Sequence, residues 1–274
     1  MKGSWAAIAL AGWILAAPLP PAAAVQDSSP TPKPSGGVSR PEGYARVVGE
    51  MRAWDIGAAR RLLAGLRERS PDLPEWDALE GTAAFLSGDY SGSIERLNAA
   101  LKKRPGEREW LELRLHVRQS RAAVEGFRAH RTPHFEIWHD PRADAVLLPY
   151  LAETLERARE ILGKELGYTP PDRVRVEVFS DPARFNKAST LSRRDIEEKG
   201  AVGVSKFNKL MFISPGALLK GYRWLDTAAH ELVHLLIVRA TRNLAPIWLH
   251  EGIAKYLEKR WRGRAHPHLT PGEE

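Results

Sequence analysis

The rhythm of apolar and polar positions changes along the chain, and each change marks an expected segment. From residue 42 to about Ala129 the apolar positions recur at helical spacing. They also repeat at a longer interval. Asp55-Ile56 and Ala59 match Asp89-Tyr90 and Ser93, Leu63 matches Leu97, and Pro71 matches Pro105, each pair 34 positions apart. Such a period predicts helix pairs that bury one face by stacking on their neighbours. A third helical run, about Glu107 to Ala129 with Trp110, Leu111, Leu113, Leu115 and Val117, is expected to cap the stack. From residue 130 the pattern differs. His134 to His139 alternates and predicts a strand, and Ala145 to Leu166 has helical spacing with an outer face rich in Glu and Arg. Arg173 to Phe179 alternates strictly, which predicts a strand with one wet face. Ala201 to Ser214 predicts two short strands with Phe207-Asn208-Lys209 near their turn. Trp224 to Arg239 is an apolar helix, and Pro246 suits the start of another after the connection Thr241-Arg242-Asn243-Leu244. Helical hairpins followed by strand, helix, strand, hairpin and helices make an α+β chain.

The two ends read differently. Lys2, an apolar run from Trp5 to Ala17, the breakers Pro18, Pro20 and Pro21, and Ala22-Ala23-Ala24 together predict an export signal over residues 1–24. The run is shorter than the roughly 20 residues that a membrane span needs. Residues 25–41 are rich in Pro, Ser, Gly and Thr, too poor in apolar side chains to fold, and are expected to be a flexible linker. Residues 263–274 end in Leu269-Thr270-Pro271-Gly272-Glu273-Glu274 and are taken as the polar tail of a shortened chain. The expected organisation is therefore signal, linker, helical repeats over 42–129, a second domain over 130–262, and the tail. The expected location is the periplasm or the extracellular space. No membrane span is expected once the signal is removed.

Composition narrows the chemistry. The chain has no cysteine, which removes disulfides, thiol catalysis, iron–sulfur clusters and cysteine-based zinc sites. Its net charge of +7 speaks to solubility and surface rather than to fold, and no nucleic-acid motif accompanies it. The informative segment is His230-Glu231-Leu232-Val233-His234. Two histidines four residues apart lie one turn apart on the same helix face, so both imidazoles can reach one zinc ion. Glu231, directly after the first histidine, can reach a water on that metal without ligating it, which is the position of a general base. The flanking residues Ala228, Ala229, Leu232, Val233, Leu235, Leu236, Ile237 and Val238 make the helix apolar. Two histidines and a glutamate buried there need partners, and a metal is the simplest one.

A catalytic zinc takes a third protein ligand and keeps one open position. No aspartate follows Asp226, and the positions where a metzincin has glycine and histidine hold Ile237 and Ala240. What remains is Pro246-Ile247-Trp248-Leu249-His250-Glu251-Gly252-Ile253-Ala254. His250 and Glu251 are about 100° apart around a helix, so both cannot easily face one ion.

Two resemblances bear on these residues. The run Ala83-Ala84-Phe85-Leu86-Ser87-Gly88-Asp89-Tyr90, continuing through Ile94 and Ala99-Ala100-Leu101 to Pro105, resembles a tetratricopeptide repeat. His-Glu-Leu-Val-His followed by Trp-Leu-His-Glu-Gly-Ile-Ala resembles the gluzincin peptidases, above all the bacterial peptidase MA-like domains, over roughly residues 130–262. This second resemblance implies a zincin-like domain, a small mixed sheet packed on the helix that carries His230 and His234. It implies Glu251 as the third zinc ligand and leaves His250 outside the metal. It implies that the strand pair within 201–214 supplies an edge strand on which an extended peptide substrate is held by backbone pairing. The chain departs from the family at Lys255, where better-known gluzincins carry an aspartate that orients a histidine. Asp226 is the candidate for that role. Glu258 reads as a helix-surface charge, and His266 and His268 read as loop residues. Tyr222, Tyr256 and His250 are all candidates for stabilising the oxyanion.

The expectation is a zinc-dependent metallopeptidase with His230, His234 and Glu251 on Zn2+ and Glu231 as the proton-transferring base. Its partners are a peptide or protein substrate and a protein recruited by the helical repeats. The alternative is a non-catalytic binding module in which the repeats work and the peptidase domain is degenerate or truncated.

Overall fold

The computed structural model describes residues 40–191, Arg194 and residues 200–262. The expected export signal, nearly all of the expected linker, and the tail with His266 and His268 lie outside the described residues. The first half is helical: α1 (Tyr44–Arg52), α2 (Ile56–Arg69), α3 (Pro74–Leu86), α4 (Tyr90–Lys103) and α5 (Arg108–Ala123). The internal repeat has a physical basis in matching caps and matching burial. Asp55 caps α2 by accepting from the Ala58 amide, and Asp89 caps α4 by accepting from the Gly92 amide. Ala59 and Ser93 are both fully buried, as are Leu63 and Leu97. Gly81 lets α3 and α4 approach closely, since a Cβ there would meet Leu97 Cγ at 2.8 Å.

The second half begins earlier than its expected boundary. The helical run expected to reach Ala129 ends at Ala123. Gly126, with φ +80, turns the chain, and β1 (Arg128–Arg131) follows. Every residue of β1 is exposed, so no apolar alternation marked it. After it come β2 (Phe135–His139), α6 (Leu148–Leu166), β3 (Val174–Phe179), α7 (Pro182–Ser189), β4 (Gly203–Lys206), β5 (Lys209–Ile213), α8 (Trp224–Ala240) and α9 (Ile247–Leu257). The sheet runs β1-β2-β3-β5-β4. β2, β3 and β5 are parallel, while β1 and β4 pair antiparallel as its two edges. The fold is thus α+β with a mixed sheet.

Both faces of the sheet are covered. Ile137, Val176, Leu210 and Phe212 pack with α6, α8 and α9. Phe179, Met211 and Ile213 join the core of α1 to α5. This corrects the expected wet face of β3. Arg175 and Glu177 lie on that face, and Glu177 is fully buried. It accepts a hydrogen bond from the Tyr90 hydroxyl of α4 at 2.6 Å and another from Arg175 Nε at 2.7 Å. Lys209 Nζ stands 3.9 Å from it. The charges face one another through Glu177 Oε1, so strict polar alternation here marks a buried ionic layer rather than solvent. Among the described residues no helix is long and apolar enough to cross a membrane.

Candidate metal centre

The site is built where α8 and α9 pack together. α8 is apolar on nearly every side, and only His230, Glu231 and His234 break its run over Ala228–Val238. The chain then reverses through Arg242 and Asn243, both left-handed, with the Asn243 amide bonded to the Val238 carbonyl at 2.7 Å. Pro246 precedes α9 in extended conformation, and α9 packs on α8 with Glu251 in its second turn.

Three donor groups converge. His230 Nε2 and His234 Nε2 are 3.1 Å apart. Glu251 lies across from both, Oε2 at 3.8 Å from His230 Nε2 and Oε1 at 3.7 Å from His234 Nε2. Tetrahedral zinc with bonds of about 2.0–2.1 Å separates its ligand atoms by about 3.3 Å, so this donor set fits zinc without rebuilding either helix. Two nitrogens and one carboxylate, with Glu251 still 37% exposed, leave a side open toward solvent. Burial pushes His234 down to about 3, with the charges of His230 and His250 adding to it. Burial also lowers His230, against the opposing pull of Glu251 and Glu258. Both rings are therefore held neutral, the form that ligates metal.

Glu231, the next residue around α8 from His230, lies against β4. Burial drives its carboxyl up to about 8, the Glu251 charge raises it further, and a hydrogen bond from the Ser205 amide of β4 works the other way. Gly203 of β4 comes close as well. A Cβ on it would meet Thr227 Cγ2 at 2.9 Å, Phe212 Cδ1 at 3.1 Å and Glu231 Cγ at 3.2 Å. The edge strand therefore lies directly beside the glutamate.

Other expected residues fall differently. His250 is not part of the converging set. Its ring stacks on His234 at 5.8 Å, and its side chain bonds the Ala245 backbone. Asp226 does not orient a histidine. Its carboxylate accepts from Trp261 Nε1 at 3.2 Å and from Arg262 at 2.9 and 2.6 Å, and it pairs with Arg223 at 3.0 Å. It ties the start of α8 to residues 261–262 instead. The carboxylate near His230 is Glu258, read from sequence as a surface charge. Glu258 Oε2 is 3.3 Å from His230 Nδ1, off line for a hydrogen bond, and Glu258 Oε1 binds Lys255 at 2.8 Å. Its signal in the sequence was present, since Glu258 follows Glu251 by two helical turns on one face. Of the oxyanion candidates, Tyr256 is exposed and stacked against Arg260. Tyr222 is held by the Ile213 carbonyl, and its hydroxyl is raised by burial first, then by the nearby charges of Glu231 and Asp144.

No family model, no curated protein and no solved structure matches this chain.

Proposed function

We propose that the chain is an exported zinc metallopeptidase of gluzincin type, in which residues 130–262 form a zincin-like domain and α1 to α5 are tetratricopeptide-like. The observation that carries this reading is the convergence of His230, His234 and Glu251 from two packed helices, with all three donor atoms within 4.8 Å of one another. His230 Nε2, His234 Nε2 and one Glu251 oxygen would hold the ion. Zinc, when bound, supplies a Lewis acid for a carbonyl and lowers the pKa of a water toward about 7.

The chain's own groups do the rest. Glu231, next to a proposed ligand and against β4, is the proton-transferring carboxyl: a cation on the donor set would oppose the burial that raises it, so that it would accept a proton and return it to the departing amine. Its bond from the Ser205 amide fixes the carboxylate against β4. Glu258 sits behind His230 and steadies the ring that must present Nε2. Among the described residues β4 pairs with β5 alone, and an extended peptide would lie along its other edge through backbone pairing. Tyr222, near enough for the Glu231 charge to act on its hydroxyl, would donate to a developing oxyanion once it lets go of the Ile213 carbonyl.

The test is the metal content of purified protein by elemental analysis, alongside hydrolysis of labelled casein. The expected result is about one zinc per chain, lost in Glu251→Ala and kept in His250→Ala. Glu231→Gln should keep its zinc and lose hydrolysis. A wild-type protein that takes up no zinc after reconstitution would sink the proposal and leave a binding role for the helical half.

A further inference from the structure

The connection between β4 and β5 is two residues long, and both are left-handed: Phe207 at φ 55 and Asn208 at φ 62. Hairpins with positive φ at both central residues favour Asn-Gly or Gly-Gly. Phenylalanine there is strained, and it persists only where the surroundings over-determine it. The surroundings here belong to the helical half. The Phe207 ring is buried 5.0 Å from Phe85 of α3 and 5.0 Å from His116 of α5. Asn208 Nδ2 donates to the Leu86 carbonyl at the end of α3, at 3.1 Å. Lys209 Nζ donates to the Tyr90 hydroxyl of α4 at 2.6 Å. Asn208 reaches the metal helix too. Its Oδ1 accepts from Arg239 Nε at 3.2 Å and from Arg239 Nη2 at 2.8 Å, in the last turn of α8. Arg239 in turn is held by Asp172 at 2.7 Å.

β4 is only four residues long and pairs with β5 on one side. Its spacing from α8 therefore depends on what holds the turn at its end. We propose that α3 to α5 act as a holder for this edge strand, and that Phe207 and Asn208 are positioning residues that set how β4 sits against α8. The proposal rests on the metallopeptidase reading for its consequence, since β4 is the strand along which an extended substrate would pair. It assigns the helical half a role within the site, beyond recruiting a partner.

Two substitutions separate the clamp from the turn. Phe207→Gly and Asn208→Gly both suit positive φ, so neither disfavours the turn itself. The first deletes the wedge, and the second deletes the bonds to Leu86 and Arg239. The whole chain is compared by amide hydrogen exchange, by zinc affinity in chelator competition and by initial rates on labelled casein. The expected result is that the amides of β4 exchange at least about tenfold faster in both variants while those of α8 keep their protection. Zinc affinity should stay within about threefold, and casein cleavage should fall about tenfold through KM rather than kcat. Unchanged exchange in β4 would overturn the proposal, and so would an even rise across β4 and α8, which marks general loosening. If the wild-type protein binds no zinc or leaves casein intact, the metallopeptidase reading fails, and the exchange comparison still decides the clamp.

Discussion

Replacing Glu177 by glutamine tests whether the ionic layer under β3 joins the two halves of the fold. Glu177 is fully buried, and burial raises its carboxyl. The charges of Lys209 and Arg175 outweigh that, so the group lies below the ordinary carboxylate range and stays ionised. Glu177→Gln keeps the shape but leaves two cations without their shared anion. Lys209 is itself fully buried, with its ammonium already pushed down to about 8 by desolvation. Breaking a buried ion pair from one side costs about 3–5 kcal/mol. For a domain of this size each kcal/mol lowers Tm by about 2–4 °C, so the expected loss is about 6–20 °C. Thermal unfolding followed by far-ultraviolet circular dichroism measures it, with the chain kept metal-free so that ligand binding adds nothing. The double variant Glu177→Gln/Lys209→Met removes one stranded cation. Arg175 then retains Glu136 at 3.9 Å and the face of Trp138 at 4.4 Å, so at least half of the loss should return. A single variant that costs under about 1 kcal/mol, or a double variant no better than the single, would refute the reasoning.

Three further outcomes are expected. His116, wedged between Phe85 and Phe207, is pushed down to about 4 by burial and then by the charges of Lys209 and Lys206. Its folded pKa is depressed below the unfolded value, so its contribution is full above about pH 6.5 and falls by about 3 kcal/mol as the pH drops toward 4. His116→Phe should flatten that part of the urea-midpoint profile, and an unchanged slope would count against the assignment. Gly203→Ala forces a methyl against Thr227, Phe212 and Glu231, and should cost about 1–3 kcal/mol in thermal unfolding. Glu258→Ala should weaken zinc about 10–100-fold in chelator competition, whereas Asp226→Asn should lower stability and spare the metal. The reverse ranking would show that the carboxylate behind His230 had been misassigned.

The parts of the fold that could be read from the sequence are those whose burial is periodic. α8 and α9 carry apolar residues at helical spacing, and the two histidines face one way by arithmetic alone. The repeat in α2 and α4 was legible because a capping aspartate and a buried small residue recur at fixed places. β1 was not legible, since an edge strand reading Arg-Ala-His-Arg buries nothing that a pattern could register. The face of β3 with Arg175 and Glu177 misled for a different reason. Alternation tells which residues share a face, and what covers that face is decided by Tyr90, far earlier in the chain. Asp226 and Glu258 show the same limit at the site. Each lies at helical spacing from a residue of the donor cluster, and only the packing of residues 258–262 against α8 decides which carboxylate meets His230 and which meets Arg262.

That limit bears on how the chain divides. The change of rhythm near residue 130 separates repeating helices from strands, and it invites a boundary there. The core does not respect it. Phe179, Phe207, Met211 and Ile213 belong to the same buried cluster as Phe85, Leu97 and Val117, and β1 starts at Arg128. Rhythm reports the secondary structure a segment adopts, whereas independence requires that each segment bury its own apolar face. The stack of α3, α4 and α5 closes its face on the sheet, and the sheet closes its second face on that stack. The hairpin that carries the edge strand lies within this shared core. The geometry around Glu231 is thus fixed in part by residues that sequence rhythm assigns to another domain.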